Sequence, residues 1–169
     1  MPGNPLPDAE QLLKALIEQM RPAVGPETGL IGIHTGGVWV AERVHQALRP
    51  NGPHAALDVS YYRDDYEARG LRRDVRQSDI PFEVDGRDLI LVDDVLYTGR
   101  TIRAALNELF DYGRPARVWL ATLVDRGGRE LPIAAQFLGA RVDVGADQVI
   151  DLTRGPDGRL AFVLNPRAA

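Results

Sequence analysis

Short apolar runs alternate along the chain with longer stretches whose apolar residues recur at helical spacing, a rhythm that predicts strands alternating with helices. Asp8 is placed to cap a first helix running to about Met20, with Leu12, Leu13, Leu16, Ile17 and Met20 on one side. A strand over Leu30 to His34 leads through a glycine turn into a helix from about Val38 to Leu48, and a second strand is expected near Ala56 to Tyr62. After a polar stretch, Leu89 to Val92 read as a buried strand, followed by a helix to about Tyr112 with Ile102, Ala105, Leu106 and Leu109 on one face. Val118 to Val124 is a further buried strand. Gln136 to Val142, Gln148 to Thr153 and Leu160 to Leu164 predict added strands, the last two joined by the turn Gly155-Pro156-Asp157-Gly158. With no repeat or low-complexity linker, the order implies one α/β domain over residues 1–169. A mostly parallel twisted sheet would be flanked by helices, with a small hood or cap from the terminal segments.

The motif strand ends unlike the others. Leu89-Ile90-Leu91-Val92 runs straight into two adjacent carboxylates, Asp93 and Asp94, and then into Thr98-Gly99-Arg100-Thr101 at the helix start. Ligands bind at the carboxyl ends of parallel strands, and a helix N-terminus offers N–H groups and a positive dipole end to a phosphate. Carboxylates accept hydrogen bonds from a cis-diol, while glycine lets the backbone close on an anion and the threonine hydroxyls add donors. Acid pair and anion site side by side suit a sugar phosphate. The plain alternative is a buried strand whose acids cap the next helix; it explains one Asp more readily than two.

A second loop of phosphate type, Gly32-Ile33-His34-Thr35-Gly36-Gly37, lies between a strand and a helix. Consecutive glycines there allow backbone N–H groups to approach a diphosphate, although Gly-Gly before a helix is often only a turn. His34 fits a loop residue that orients the diphosphate better than a metal ligand, because His45 and His54 form no ligand cluster with it. The polar span from Leu57 to Pro81 mixes five Arg with six acids. It reads either as a solvated loop or as a lid, with Arg63, Asp64, Asp65, Arg72 and Arg73 closing over the diphosphate and excluding water.

Composition narrows the rest. Cysteine is absent, so disulfides and thiolate metal sites are excluded, and no apolar run approaches a membrane span. Met1 to Pro5 lack the charged and apolar regions of a signal peptide, which makes the cytoplasm the expected location. A net charge of −4 gives no general attraction to nucleic acid. Nineteen of the twenty basic residues are Arg, which suits phosphate recognition and equally fits codon bias.

The acid-pair segment resembles the phosphoribosyl-pyrophosphate (PRPP) motif of type I phosphoribosyltransferases. Four segments, GIHTGGVWVAER (32–43), SYYRDD (60–65), VDDVLYTGRT (92–101) and YGRPARVWLATLVDRGGRELPI (112–133), are similar more narrowly to the PyrR family. These are pyrimidine operon regulators that double as uracil phosphoribosyltransferases. The resemblance covers about Leu30 to Val142. It implies transfer of ribose 5-phosphate from PRPP to uracil, giving UMP and pyrophosphate with Mg²⁺ bound, in a homo-oligomer of two or more subunits.

Under that resemblance Asp93 and Asp94 would hold the ribose hydroxyls and stabilise charge developing at the anomeric carbon. Thr98, Gly99, Arg100 and Thr101 would bind the 5′-phosphate, and His34, Thr35, Gly36 and Gly37 the pyrophosphate. Mg²⁺ would be held mainly through substrate oxygens, with Asp93 the candidate protein ligand. Val124, Asp125, Arg126, Phe137 and Leu138 would form the base pocket, with plain core the alternative for Phe137. Tyr97 stands where 6-oxopurine transferases usually place an Asp, which argues against hypoxanthine or guanine and leaves orotate as the nearest enzymatic rival.

Two departures bear on regulation. RNA-binding relatives typically read Thr-Arg-Gly in the first loop and Arg-Gly-His-Arg in the base segment, where this chain has Gly36 and Gly128. The other readings are therefore a UMP-dependent regulator binding the leader mRNA of pyrimidine genes with weak catalysis, and a nucleotide-sensing module that does neither. Arg114 to Arg141, with five Arg, would be the RNA face or a dimer surface.

Overall fold

The computed structural model describes residues 5–59 and 78–168. Five parallel strands form one sheet in the order β2-β1-β3-β4-β5: β1 Gly29–Ile33, β2 Ala55–Leu57, β3 Asp88–Leu96, β4 Arg117–Asp125 and β5 Phe137–Arg141. Helices α1 (Ala9–Met20) and α2 (Gly36–Leu48) cover one face and α3 (Arg100–Asp111) the other. Alternation along each strand feeds both layers. Leu30, Ile90, Val92 and Leu123 enter the core shared with α1 and α2, while Ile31, Leu89, Leu91 and Leu120 meet Ile102, Ala105 and Leu109 of α3.

The terminal strands β6 (Gln148–Arg154) and β7 (Leu160–Pro166) make a separate antiparallel hairpin around the expected turn. Its Ile150, Leu152, Leu160 and Phe162 join the core on the α1 side. Glu10 ties hairpin to helices: its two carboxylate oxygens accept from Arg43 at 3.1 and 2.7 Å, and Oε1 also accepts from the Leu160 N–H at 2.8 Å. At the sheet edge, both backbone polar groups of Leu138 go to the Gln19 side chain of α1, which donates to the carbonyl at 2.7 Å and accepts from the N–H at 3.1 Å.

Two boundaries depart from the sequence reading. The second helix begins at Gly36 rather than near Val38, because both glycines are buried in its first turn. The second strand ends at Leu57; Asp58 and Val59 leave the ladder, the Asp58 N–H turning to Ser78 Oγ at 3.1 Å, and residues 60–62 lie outside the described residues.

Candidate active site

Strand β3 carries its apolar run into the acid pair and stays in register with β4 to Leu96, so the carboxylates leave a rigid strand. Each turns back on the chain. Asp93 Oδ1 accepts from the Asp94 N–H at 2.9 Å, and Asp94 Oδ1 from the Val95 N–H at 2.9 Å. Asp93 is buried and Asp94 half-buried.

Two helix starts flank the pair. The caps of α2 and α3, Thr35 and Gly99, make no side-chain hydrogen bond, whereas Asp8 at α1 takes the N–H groups of Glu10 and Gln11. Helix starts without a side-chain cap direct first-turn N–H groups and the positive dipole end outward, the arrangement a phosphate needs. In the second of these loops Thr98 Oγ1 accepts from the Arg100 N–H at 3.2 Å, and Gly99 is left-handed with φ 92°. The Arg100 guanidinium is turned to Glu130, with Nε to Oε2 at 2.8 Å. In the first, the His34–Thr35 peptide bond is cis, and Gly37 packs directly against the β3 backbone, where a Cβ would come within 3.0 Å of Asp93 Cα.

The base segment is held to the same end of the sheet. Asp125 closes β4, accepting from the Gly127 N–H at 2.9 Å and from Arg129 at 2.5 Å, while Arg129 also donates to the Tyr97 carbonyl at 2.7 Å. Burial pushes the Asp125 carboxyl up, but the Arg129 and Gly127 hydrogen bonds and the charges of Arg129 and Arg141 outweigh it and hold it below the ordinary carboxylate value. Arg126 lies over the Tyr97 ring at 4.0 Å and donates to the carbonyls of Gln148 and Gly145. Burial, opposed by Tyr97 and reinforced by the nearby Arg167 charge, holds its guanidinium below the usual arginine value.

The structure thus brings Asp93, Asp94, Thr35, Gly36, Gly37, Thr98, Gly99 and Asp125 to the carboxyl ends of β1, β3 and β4. Two expected base-pocket residues, Val124 and Phe137, pack into the core instead. Val124 is fully buried in the α1-side core, and Phe137 packs there edge-on to Trp119 with ring centroids 5.7 Å apart. Leu138 is anchored through its backbone to Gln19. Val124 and Phe137 sit on strands that send apolar side chains into the core, which the short apolar run did not distinguish from a pocket wall. The lid residues Arg63, Asp64, Asp65, Arg72 and Arg73 lie outside the described residues.

Sequence reasoning missed Arg167, whose guanidinium lies 5.0 Å from the centre of the Tyr97 ring. It missed too the wedge of Leu131 and Ile133 under Gly99, since no sequence spacing connects such distant positions. Nor is the Arg114 to Arg141 interval a continuous basic face. Arg117, itself exposed, pairs with Asp88, Arg129 pairs with Asp125, and Arg126 is buried, which leaves Arg114 and Arg141 as the exposed members outside these pairs.

Residues 5–148 match the model of the phosphoribosyl transferase domain. A protein named bifunctional protein PyrR from Pseudomonas paraeruginosa is 50% identical over 156 residues, covering 89% of this chain and 91% of its own. Its namesake from Nitrosococcus oceani is 51% identical over 148 residues, covering 86% and 83%. Among solved structures, a hypoxanthine-guanine phosphoribosyltransferase from Bacillus anthracis shares the fold with a TM-score of 0.64 at 20% identity, over 84% of this chain and 86% of that one.

Proposed function

The chain belongs to the PyrR family of phosphoribosyltransferases, and from that premise we propose that it transfers the phosphoribosyl group of PRPP to uracil, yielding UMP and pyrophosphate. One observation carries the reading: the acid pair on β3 is seated between two helix starts whose cap residues, Thr35 and Gly99, make no side-chain hydrogen bond. The start of α3 takes the 5′-phosphate, through Thr98, Gly99, Thr101 and the Arg100 backbone. The start of α2 takes the pyrophosphate, through Thr35, Gly36 and Gly37. Asp93 and Asp94 orient the ribose hydroxyls, and their fixed negative charge stabilises the positive charge that grows at the anomeric carbon as pyrophosphate departs. Because each carboxylate is held by a backbone N–H, little reorganisation accompanies that step.

The donor set fits Mg²⁺. Asp93 and Asp94 offer hard oxygen ligands, and among the described residues no three His, Asp or Glu side chains gather into a cage, so the ion would take most of its coordination from substrate oxygens and water. Bound there, Mg²⁺ would neutralise charge on the diphosphate. Asp125 and Arg126 border the place left for the base, and Tyr97 supplies no carboxylate for a purine N7 proton. Phe137 and Val124 pack in the α1-side core. The protein is expected to work as a cytoplasmic homo-oligomer. Regulation through leader mRNA is the second reading, and the structure bears on it at two points. The space at Gly36 is taken by the Asp94 carboxylate, and the Tyr97 ring lies 2.5 Å from where a Gly128 Cβ would sit. Release of pyrophosphate from PRPP with Mg²⁺, measured with uracil, orotate, hypoxanthine and guanine, tests the proposal. Uracil should dominate; a hypoxanthine rate equal to it would refute the reading of Tyr97, and no turnover with any base would refute the activity.

A further inference from the structure

Asparagine occurs in the chain at positions 4, 51, 107 and 165, and the residue that follows each one sets its chemistry. The side chain loses its nitrogen when the backbone nitrogen of the next residue attacks Cγ and closes a cyclic imide. Asn4 and Asn165 precede proline, whose nitrogen carries no hydrogen to give up. Asn107 lies inside α3, where the next N–H is tied to a carbonyl one turn back. Asn51 alone precedes a glycine. Both residues are exposed, and Gly52 has φ 79° with nothing within 4 Å of where a Cβ would sit. Its N–H finds no acceptor among the described residues.

The same asparagine is a clasp. Its N–H donates to the Pro26 carbonyl at 2.7 Å and its Nδ2 to Glu27 Oε1 at 3.0 Å, which joins the loop before β2 to the loop before β1. Arg87 braces Glu27, donating to its carbonyl at 3.1 Å with the guanidinium 3.9 Å from Oε2. The Glu27 side chain is 76% exposed, so its bond to the amide is open to water and breaks locally without unfolding the sheet.

We propose that Asn51 is a site of spontaneous deamidation and that Glu27 slows it by holding the side-chain amide in that hydrogen bond. The Gly52 nitrogen gives its proton to solvent and bonds to Asn51 Cγ. The bond from Cγ to the side-chain nitrogen breaks, and that nitrogen takes a proton from water and leaves as ammonia. Water then opens the ring at either carbonyl, yielding an aspartate or an isoaspartate. No oxidant or cofactor enters. The product carries a carboxylate where the amide donated to Glu27, so an attraction becomes a repulsion between like charges and the clasp is lost. Both loops lie at the amino ends of their strands, opposite the acid pair. The change therefore falls on stability and surface charge.

The test incubates the full chain in mildly alkaline buffer below its thermal midpoint, then maps its peptides by mass spectrometry and detects isoaspartate by enzymatic methylation. The peptide holding Asn51 should show conversion of amide to acid and become methylatable, while those holding Asn107 and Asn165 stay unchanged. An intact Asn51 after an interval that converts it fully in protein unfolded by guanidinium chloride overturns the site, as does earlier conversion at Asn107. Glu27→Ala should deamidate at position 51 at least about twofold faster, as expected from loss of an exposed hydrogen bond; a rate equal to wild type overturns the role of Glu27. Asn51→Asp, which installs the product, should lower the thermal midpoint, and a midpoint equal to or above that of the wild type overturns the loss of the clasp.

Discussion

Adjacent residues on a strand point to opposite faces, so Asp93 and Asp94 cannot substitute for one another although they are chemically identical. Asp93 lies against Gly37 and is buried; Asp94 lies against Gly36 and is half-open. Replacing both with Asn keeps shape and removes charge, and kcat/KM should fall by at least about 10²-fold with the circular dichroism spectrum unchanged. Near-normal turnover from the folded double variant would remove these residues from the mechanism. Asp125 makes its contribution to stability. Its folded carboxyl lies below the ordinary value near 4, so its stabilisation is complete above that value and is lost as acid protonates it at lower pH. Thermal midpoints taken from about pH 6 down to pH 3 should therefore fall, and Asp125→Asn should start lower and fall less; parallel curves would contradict this. The acid pair is visible in sequence because two consecutive carboxylates after an apolar run have few structural uses. Arg167 over Tyr97 is invisible because nothing near it in the chain marks its partner.

At the level of elements, apolar periodicity located every described strand and helix, and it erred where burial overrode local preference. Gly36 and Gly37 are poor helix formers that nevertheless open α2, and at Gly37 the Val92 carbonyl oxygen and Asp93 Cα leave no room for a Cβ. Phe137 and Val124 were apolar residues in the right segment, but alternation turned them inward. At the start of α3, Gly99 combines φ 92° with a Cβ position only 3.0 Å from the Ile133 side chain. Gly99→Ala should cost on the order of 1–2 kcal/mol from the left-handed conformation alone, seen as a lower midpoint in urea unfolding, and should raise KM for PRPP. Wild-type stability in that variant would show that the turn relaxes without loss.

For the molecule as a whole, the parallel sheet with helices on both faces and the terminal hairpin were legible. The strand order was not, because pairing depends on which apolar faces meet across long separations. Charge at this scale bears on regulation. The net charge is −4, and three of the five Arg in the Arg114 to Arg141 interval are paired or buried. Any binding of pyrimidine leader RNA in the presence of UMP should therefore be micromolar or weaker and should decline steeply with salt, by about one unit of log–log slope per phosphate neutralised. Nanomolar, sequence-selective binding that survives about 0.2 M salt in a filter assay would make regulation the primary role. The contact between Gln19 and Leu138 has a consequence of another kind. A side-chain amide presents one donor and one acceptor in the manner of a peptide group, so α1 supplies the outermost strand with a counterfeit neighbour. An edge residue satisfied in this way is withdrawn from the row with which a strand of a second molecule would pair, and a single glutamine far from the chemistry thereby shortens the exposed edge.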